Sequence, residues 1–116
     1  MTYKNEEQAE RIEAILEDCT DKKVNPETLA VFHTLLQHVL TLPCDVVEKA
    51  ELAKYELYAI ENSGDEMFGL LGKLREADDK KKEAVIPLCD LRAADNRSKE
   101  YKALDDYSTW FINSQF

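Results

Sequence analysis

Glycine is almost absent: Gly64, Gly69 and Gly72 are the only three in 116 residues. A phosphate-cradling loop needs several glycines so that backbone N–H groups can approach the ligand, and no GxGxxG or Walker sequence occurs. HExxH and GxSxG are missing as well, which removes common zinc-hydrolase and serine-hydrolase signatures. Cysteine is limited to Cys19, Cys44 and Cys89, widely spaced and without a CxxC pair. An odd, scattered set suits a reduced cytoplasm rather than a disulfide framework. No apolar run approaches the roughly 20 residues of a membrane span. The start, MTYKNEEQAERIEAI, shows no basic segment leading into an apolar one, so no signal peptide is expected.

Positive charge is also short. Fifteen Lys and Arg stand against 24 Asp and Glu, a formal charge of -9. That balance repels phosphate backbones and anionic membrane surfaces, which argues against nucleic-acid and membrane partners. It attracts cations and basic proteins, and it also keeps an ordinary protein soluble.

What is present is a hydrophobic content of 44%, enough for a core without staples. The length fits one domain, residues 1–116, with a helical part over 1–42 and a sheet with a closing helix over 43–116. From about Asn5 to Cys19, Ala9, Ile12, Ile15, Leu16 and Cys19 recur at helical steps. NPET then opens a second helix, with Asn25 as N-cap and Pro26 in the first helical position. It runs to about Leu40, burying Leu29, Phe32, Leu36, Val39 and Leu40, and must end before Pro43.

Beyond Pro43 the pattern becomes extended. CDVVEKA reads as a first strand and KYELYAIE as a second, with Tyr55, Leu57 and Ala59 alternating against Glu56, Tyr58 and Ile60. NSGD is a turn around Gly64. EMFGLLGKL reads as a third strand, since two glycines at about 1 kcal/mol each disfavour a helix. EAVIPL is a fourth, near an edge because Pro87 removes a ladder donor. From about Ser98 to Ile112 a helical stripe of Tyr101, Leu104, Tyr107, Ser108 and Phe111 closes the chain. The expected class is α+β: two N-terminal helices, a small antiparallel sheet of about four strands, and a C-terminal helix.

Few side chains carry candidate chemistry. His33 and His38 are five apart and point roughly 140° away from each other on a helix, so they read as surface or half-buried histidines rather than a metal pair. Cys44 and Cys89 read as small buried hydrophobes. The pair Asp78/Asp79 lies beside three lysines and suits a solvated turn. Asp90, Asp95, Asn96, Glu100, Asp105 and Asp106 run from a strand end through the start and middle of a helix, without a run of bases to balance them. Calcium takes six to eight oxygens from carboxylates, amides and carbonyls, and a strand-to-helix segment of this composition can supply them. It is not an EF-hand, because DLRAADNRSKE lacks the DxDxDG-type core. Structural roles compete: Asp95 and Asn96 could cap the last helix, and Asp106 could hold a backbone N–H.

Three segments, LTLPCDVV, VIPLCDLRAAD and DDYSTWF, together resemble the small cyanobacterial-type calcium-binding proteins, a bacterial, CcbP-like family. Leu42 and Pro43 match the first element of its pattern. Pro87, Leu88, Asp90, Leu91, Ala93 and Asp95 match the second, and Asp106, Tyr107 and Trp110 the third. The resemblance runs from Phe32 to Phe111 and omits the first helix. It implies a cytoplasmic, non-catalytic α+β protein that binds Ca²⁺ as buffer or sensor in calcium homeostasis. Asp90 and Asp95 are then the leading ligands, with Asp106 as a further carboxylate and Asn96 as an amide or carbonyl donor. The alternative is a metal-free interaction module that recruits a basic protein partner through its acidic face.

Overall fold

The structure is a computed structural model that describes residues 6–115; Asn5, the expected start of the first helix, lies outside them. Helix α1 spans Glu6–Ile15 and α2 spans Pro26–Val39. Strands β1 (Cys44–Glu48), β2 (Lys54–Asn62), β3 (Leu70–Glu76), β4 (Glu83–Pro87) and β5 (Leu91–Ala93) precede the closing helix α3, Lys99–Asn113. The class is α+β, and the sheet has five strands rather than about four. It is antiparallel throughout, in the order β4-β3-β2-β1-β5. The additional strand is β5, three residues paired with β1 through Val46 and Ala93. So short a segment carries too little alternation to stand out in a sequence.

Helix α1 stops four residues earlier than its apolar stripe suggests. The Lys22 ammonium donates to the carbonyls of Leu16 and Cys19 at 3.1 and 3.3 Å, placing a cation where the chain leaves the helix. Leu16 and Cys19 remain buried beyond its end. The start of α2 is fixed by a reciprocal cap. Asn25 accepts the Thr28 N–H while the Thr28 hydroxyl accepts the Asn25 N–H, both at 3.0 Å, with Pro26 at the first position. Strand β4 does lie at an edge, as Pro87 required.

Strand β2 departs from simple alternation. A bulge between Leu57 and Ala59 shifts the side chains by one, so Leu57 and Ile60, three apart, both enter the core. Strand β3 begins at Leu70, later than expected. Residues 66–68 form a turn that leaves Met67 and Phe68 at 69% and 50% exposure. Gly69 then takes φ +63°, beneath Tyr107 and Phe111 of α3.

One face of the sheet supplies Val46, Leu57, Ile60, Leu70, Leu74 and Leu91 to the core. Against it stands an aromatic cluster. Phe32 of α2 stacks on Trp110 with ring centres 4.6 Å apart and meets Tyr107 edge-on at 5.5 Å, an arrangement favoured by the ring quadrupoles. The Trp110 indole N–H donates to the Lys22 carbonyl at 2.8 Å, which fastens the α1–α2 link to α3. The other sheet face is polar. Glu61 pairs with Lys73, and Glu56 with both Arg75 and Lys80, while Arg75 lies 4.4 Å over the Tyr58 ring. No helix among the described residues is long and apolar enough to cross a membrane.

Candidate functional site

Asp106 is the most deeply placed of the acidic candidates, at 5% exposure. Position 106 falls on the buried stripe of α3, where an ionised carboxylate needs charged or polar partners. Helix α1 supplies them. Arg11 donates through Nε and Nη2 to the two Asp106 oxygens, each at 2.9 Å, and the buried Gln8 amide donates to Oδ1 at 3.0 Å. The same amide donates to Asp105 at 3.0 Å. Hydrogen bonding to Asp106, followed by its charge and those of Glu7 and Asp105, raises the Arg11 pKa against the opposing effect of burial. Arg11 and Gln8 are three apart on one face of α1 and together form a fork that grips α3.

The remaining candidates lie elsewhere. Asp90 ends a 3-10 turn, Leu88–Asp90, at one end of β5. Its carbonyl accepts the Lys49 N–H at 2.9 Å, and the Lys49 ammonium donates to the adjacent Cys89 carbonyl at 2.8 Å. The Asp90 carboxylate is exposed and faces the Cys89 thiol at 3.9 Å. Asp95 lies past the other end of β5. One of its carboxylate oxygens accepts the Arg97 N–H at 2.9 Å, and its carbonyl accepts the Ser98 hydroxyl at 2.7 Å. Asn96, beside it, is exposed. An extended chain rises about 3.3 Å per residue, so five steps separate Asp90 from Asp95 by roughly 15 Å. Calcium–oxygen contacts are only about 2.4 Å long, too short for one ion to bridge that gap.

The cap of α3 is Ser98, which accepts the Tyr101 N–H at 3.0 Å, rather than Asp95 or Asn96. Asp95 shapes the turn before it. Near this end of β5 stand two further acids. The Ala94 N–H donates to the Asp45 carbonyl at 2.9 Å, and Glu100 accepts the Thr41 N–H at 3.2 Å. Burial first, then the charges of Glu100 and Asp45, push the Cys44 thiol up to about 11. Asp45, Asp95 and Glu100 thus gather loosely where β1 begins and α3 starts. Among the described residues, no three His, Cys, Asp or Glu side chains converge closely enough to hold one metal ion.

The compensated acidic pair lies where its neighbours suggested. Asp79 accepts the Lys81 N–H at 3.1 Å in the β3–β4 turn, and Lys80 pairs with Glu56. His33 sits half-buried with Nε2 at 3.3 Å from the Ile60 carbonyl, while His38 is exposed. Sequence reasoning missed Gln8 and Arg11 as partners of Asp106. Their signal was faint: two long polar side chains flanking Ile12 on the inward side of α1.

No family model matches the chain, and no curated protein is significantly similar to it. Solved structures do match. The chain superimposes on the crystal structure of Anabaena CcbP with a TM-score of 0.72 at 19% identity, over 94% of this chain and 92% of that one. The chain has the CcbP fold. It also matches a structure described as a calcium-binding protein in the calcium-binding form, with a TM-score of 0.74 at 18% identity over 97% of both chains. The likeness in CcbP fold therefore extends beyond the segment carrying the sequence motifs, which leaves out α1. At this identity it is a likeness of backbone, and the side chains that differ carry their own chemistry.

Proposed function

We propose that this protein is a cytoplasmic, non-catalytic binder of Ca²⁺, acting as a buffer or sensor through exposed carboxylate and carbonyl oxygens. The observation that carries the reading is the fold match over nearly the whole chain to a protein described in its calcium-binding form, joined to a net charge of -9. Because the acids do not converge into a cage, the proposed site is shallow and completed by water. Few charged ligands mean weak binding, about 10⁻⁴ to 10⁻³ M by analogy with other sparse sites. Asp95 and Asn96 are the proposed ligands at the β5–α3 corner, with Asp45 and Glu100 near enough to add to the local field. Asp90, at the far end of β5, would take a separate ion. Asp106 would serve only if Arg11 and Gln8 released it, and in this reading it anchors α1.

Calorimetric titration with CaCl₂ after exhaustive chelation tests the proposal. Saturable binding that Asp95→Asn weakens severalfold, and that the Asp78→Asn/Asp79→Asn variant leaves intact, is the expected result. No saturable uptake, or equal loss in both variants, would refute it. The dispersed acids favour one competing reading, an acidic face that docks a basic protein partner without metal. That reading expects a salt-sensitive protein complex with no calorimetric response to Ca²⁺.

A further inference from the structure

A shallow groove of about 330 Å³ lies among the three helices. Its floor is apolar: Ala14 and Ile15 from α1, Leu35 and Val39 from α2, and Ala103 from α3. Ile15, Leu35 and Ala103 are only partly buried against the core, so each helix turns some apolar surface outward here. Its edge is cationic. Lys99 and Lys102 line it; Lys99 reaches Glu100 only at 3.8 Å, and Lys102 makes no ion pair among the described residues. Arg11 and Asp106 also line it, but their charges are engaged with each other at 2.9 Å.

We infer that this groove docks an amphipathic helix of a partner protein, one whose apolar stripe is flanked by Asp or Glu. Charge complementarity selects this occupant. Two lysines beside an apolar strip on a chain of net charge -9 form a local positive field, and at physiological ionic strength screening over about 8 Å lets such a local field govern at contact. A second copy of the chain would bring its own net charge of -9 against the first. The occupant is helical because the groove walls are helix side chains. They offer no sheet edge to an extended backbone, whereas a helix satisfies its own N–H and C=O groups. This inference is independent of the calcium reading, since Asp90, Asp95 and Asn96 do not line the groove and Asp106, which does, is engaged by Arg11.

The test uses two synthetic helical peptides of about 15 residues, each with a leucine stripe at helical spacing. One is flanked by glutamates and the other by lysines, and both are titrated into the full chain in chelator and followed by amide NMR shifts and fluorescence anisotropy. The expected result is saturable binding of the glutamate-flanked peptide, with shifts centred on Ala14, Leu35, Val39 and Ala103. Added NaCl should weaken it, and a folded Lys99→Glu/Lys102→Glu variant should lose about tenfold in affinity. Equal binding of the lysine-flanked peptide, shifts centred elsewhere, or no saturation at millimolar peptide would overturn the inference. So would concentration-dependent dimerisation through the same residues, which would make a second copy the occupant.

Discussion

Replacing Arg11 by alanine would leave the Asp106 carboxylate buried with only Gln8 to solvate it. Breaking a buried pair from one side costs about 3–5 kcal/mol, and the partial exposure of Arg11 reduces that to roughly 2 kcal/mol. Urea unfolding measures the loss, and Arg11→Lys should recover only part of it because an ammonium cannot reproduce the two-pronged contact. The thiols make a second prediction. Burial pushes Cys44 and Cys89 both up to about 11, so their reactive thiolates are scarce at pH 8. Iodoacetamide should modify them on the order of tenfold more slowly in the folded protein than in urea, where all three cysteines react. The sign for stability follows. A raised thiol pKa stabilises the fold fully below the unfolded value near 9, and that contribution is lost as pH rises toward about 11. Leu52 gives a third. It holds φ +61° at 58% exposure, a left-handed conformation that costs a leucine about 1 kcal/mol. Leu52→Asn should therefore raise the unfolding midpoint, with a gain of about 0.5–1 kcal/mol. At this scale the sequence was a poor guide to the acids. Asp106 looked free because its partner lies 95 positions away, and only the packing of α1 on α3 brings them together.

Elements were more legible where a local chemical signal marks them. The Asn25–Pro26 start, the break before Pro43, the positive φ at Gly64 and the edge position of β4 each follow from one residue's backbone constraint, although the turn itself falls at 66–68, just past the expected NSGD. The second helix therefore emerged close to its observed span. The elements misjudged were those set by tertiary contact. The bulge in β2 depends on what Leu57 and Ile60 pack against, and β5 exists only because β1 is there to pair with it. The late start of β3 has the same origin. Gly69 holds a left-handed φ under α3, and the next residue, Leu70, donates its N–H to the Tyr107 hydroxyl at 2.9 Å. A Cβ on residue 69 would collide with Phe111 and Tyr107. Gly69→Ala should thus cost more than about 2 kcal/mol, combining backbone strain with steric displacement. Gly64→Ala, at a similar φ but with nothing within 4 Å, should cost only the conformational part, about 1 kcal/mol. Paired thermal melts of the two variants separate the contributions, and equal losses would show that the docking of β3 under α3 contributes little.

For the whole molecule, the core draws on residues from Ile12 to Phe111 and contains none of the proposed Ca²⁺ ligands; Asp106, buried on α3, is already neutralised by Arg11. The metal-free protein should accordingly keep its full far-ultraviolet circular dichroism in excess chelator. Calcium at one hundred times Kd would add stability only by mass action, about 2.7 kcal/mol; collapse of the signal on chelation would contradict this. The arrangement of the one tryptophan has an optical consequence. Trp110 is stacked on Phe32 and held to the Lys22 carbonyl, so its indole, the one tryptophan beside five tyrosines and excited selectively at longer wavelength than they are, reports on the α1–α2 link. A ligand taken up at the β5–α3 corner should leave the emission maximum unmoved, whereas any event that lifts α1 or its link from α3 should shift it to the red. One cuvette measurement can therefore distinguish local occupancy from loosening of the N-terminal helix, without an added label.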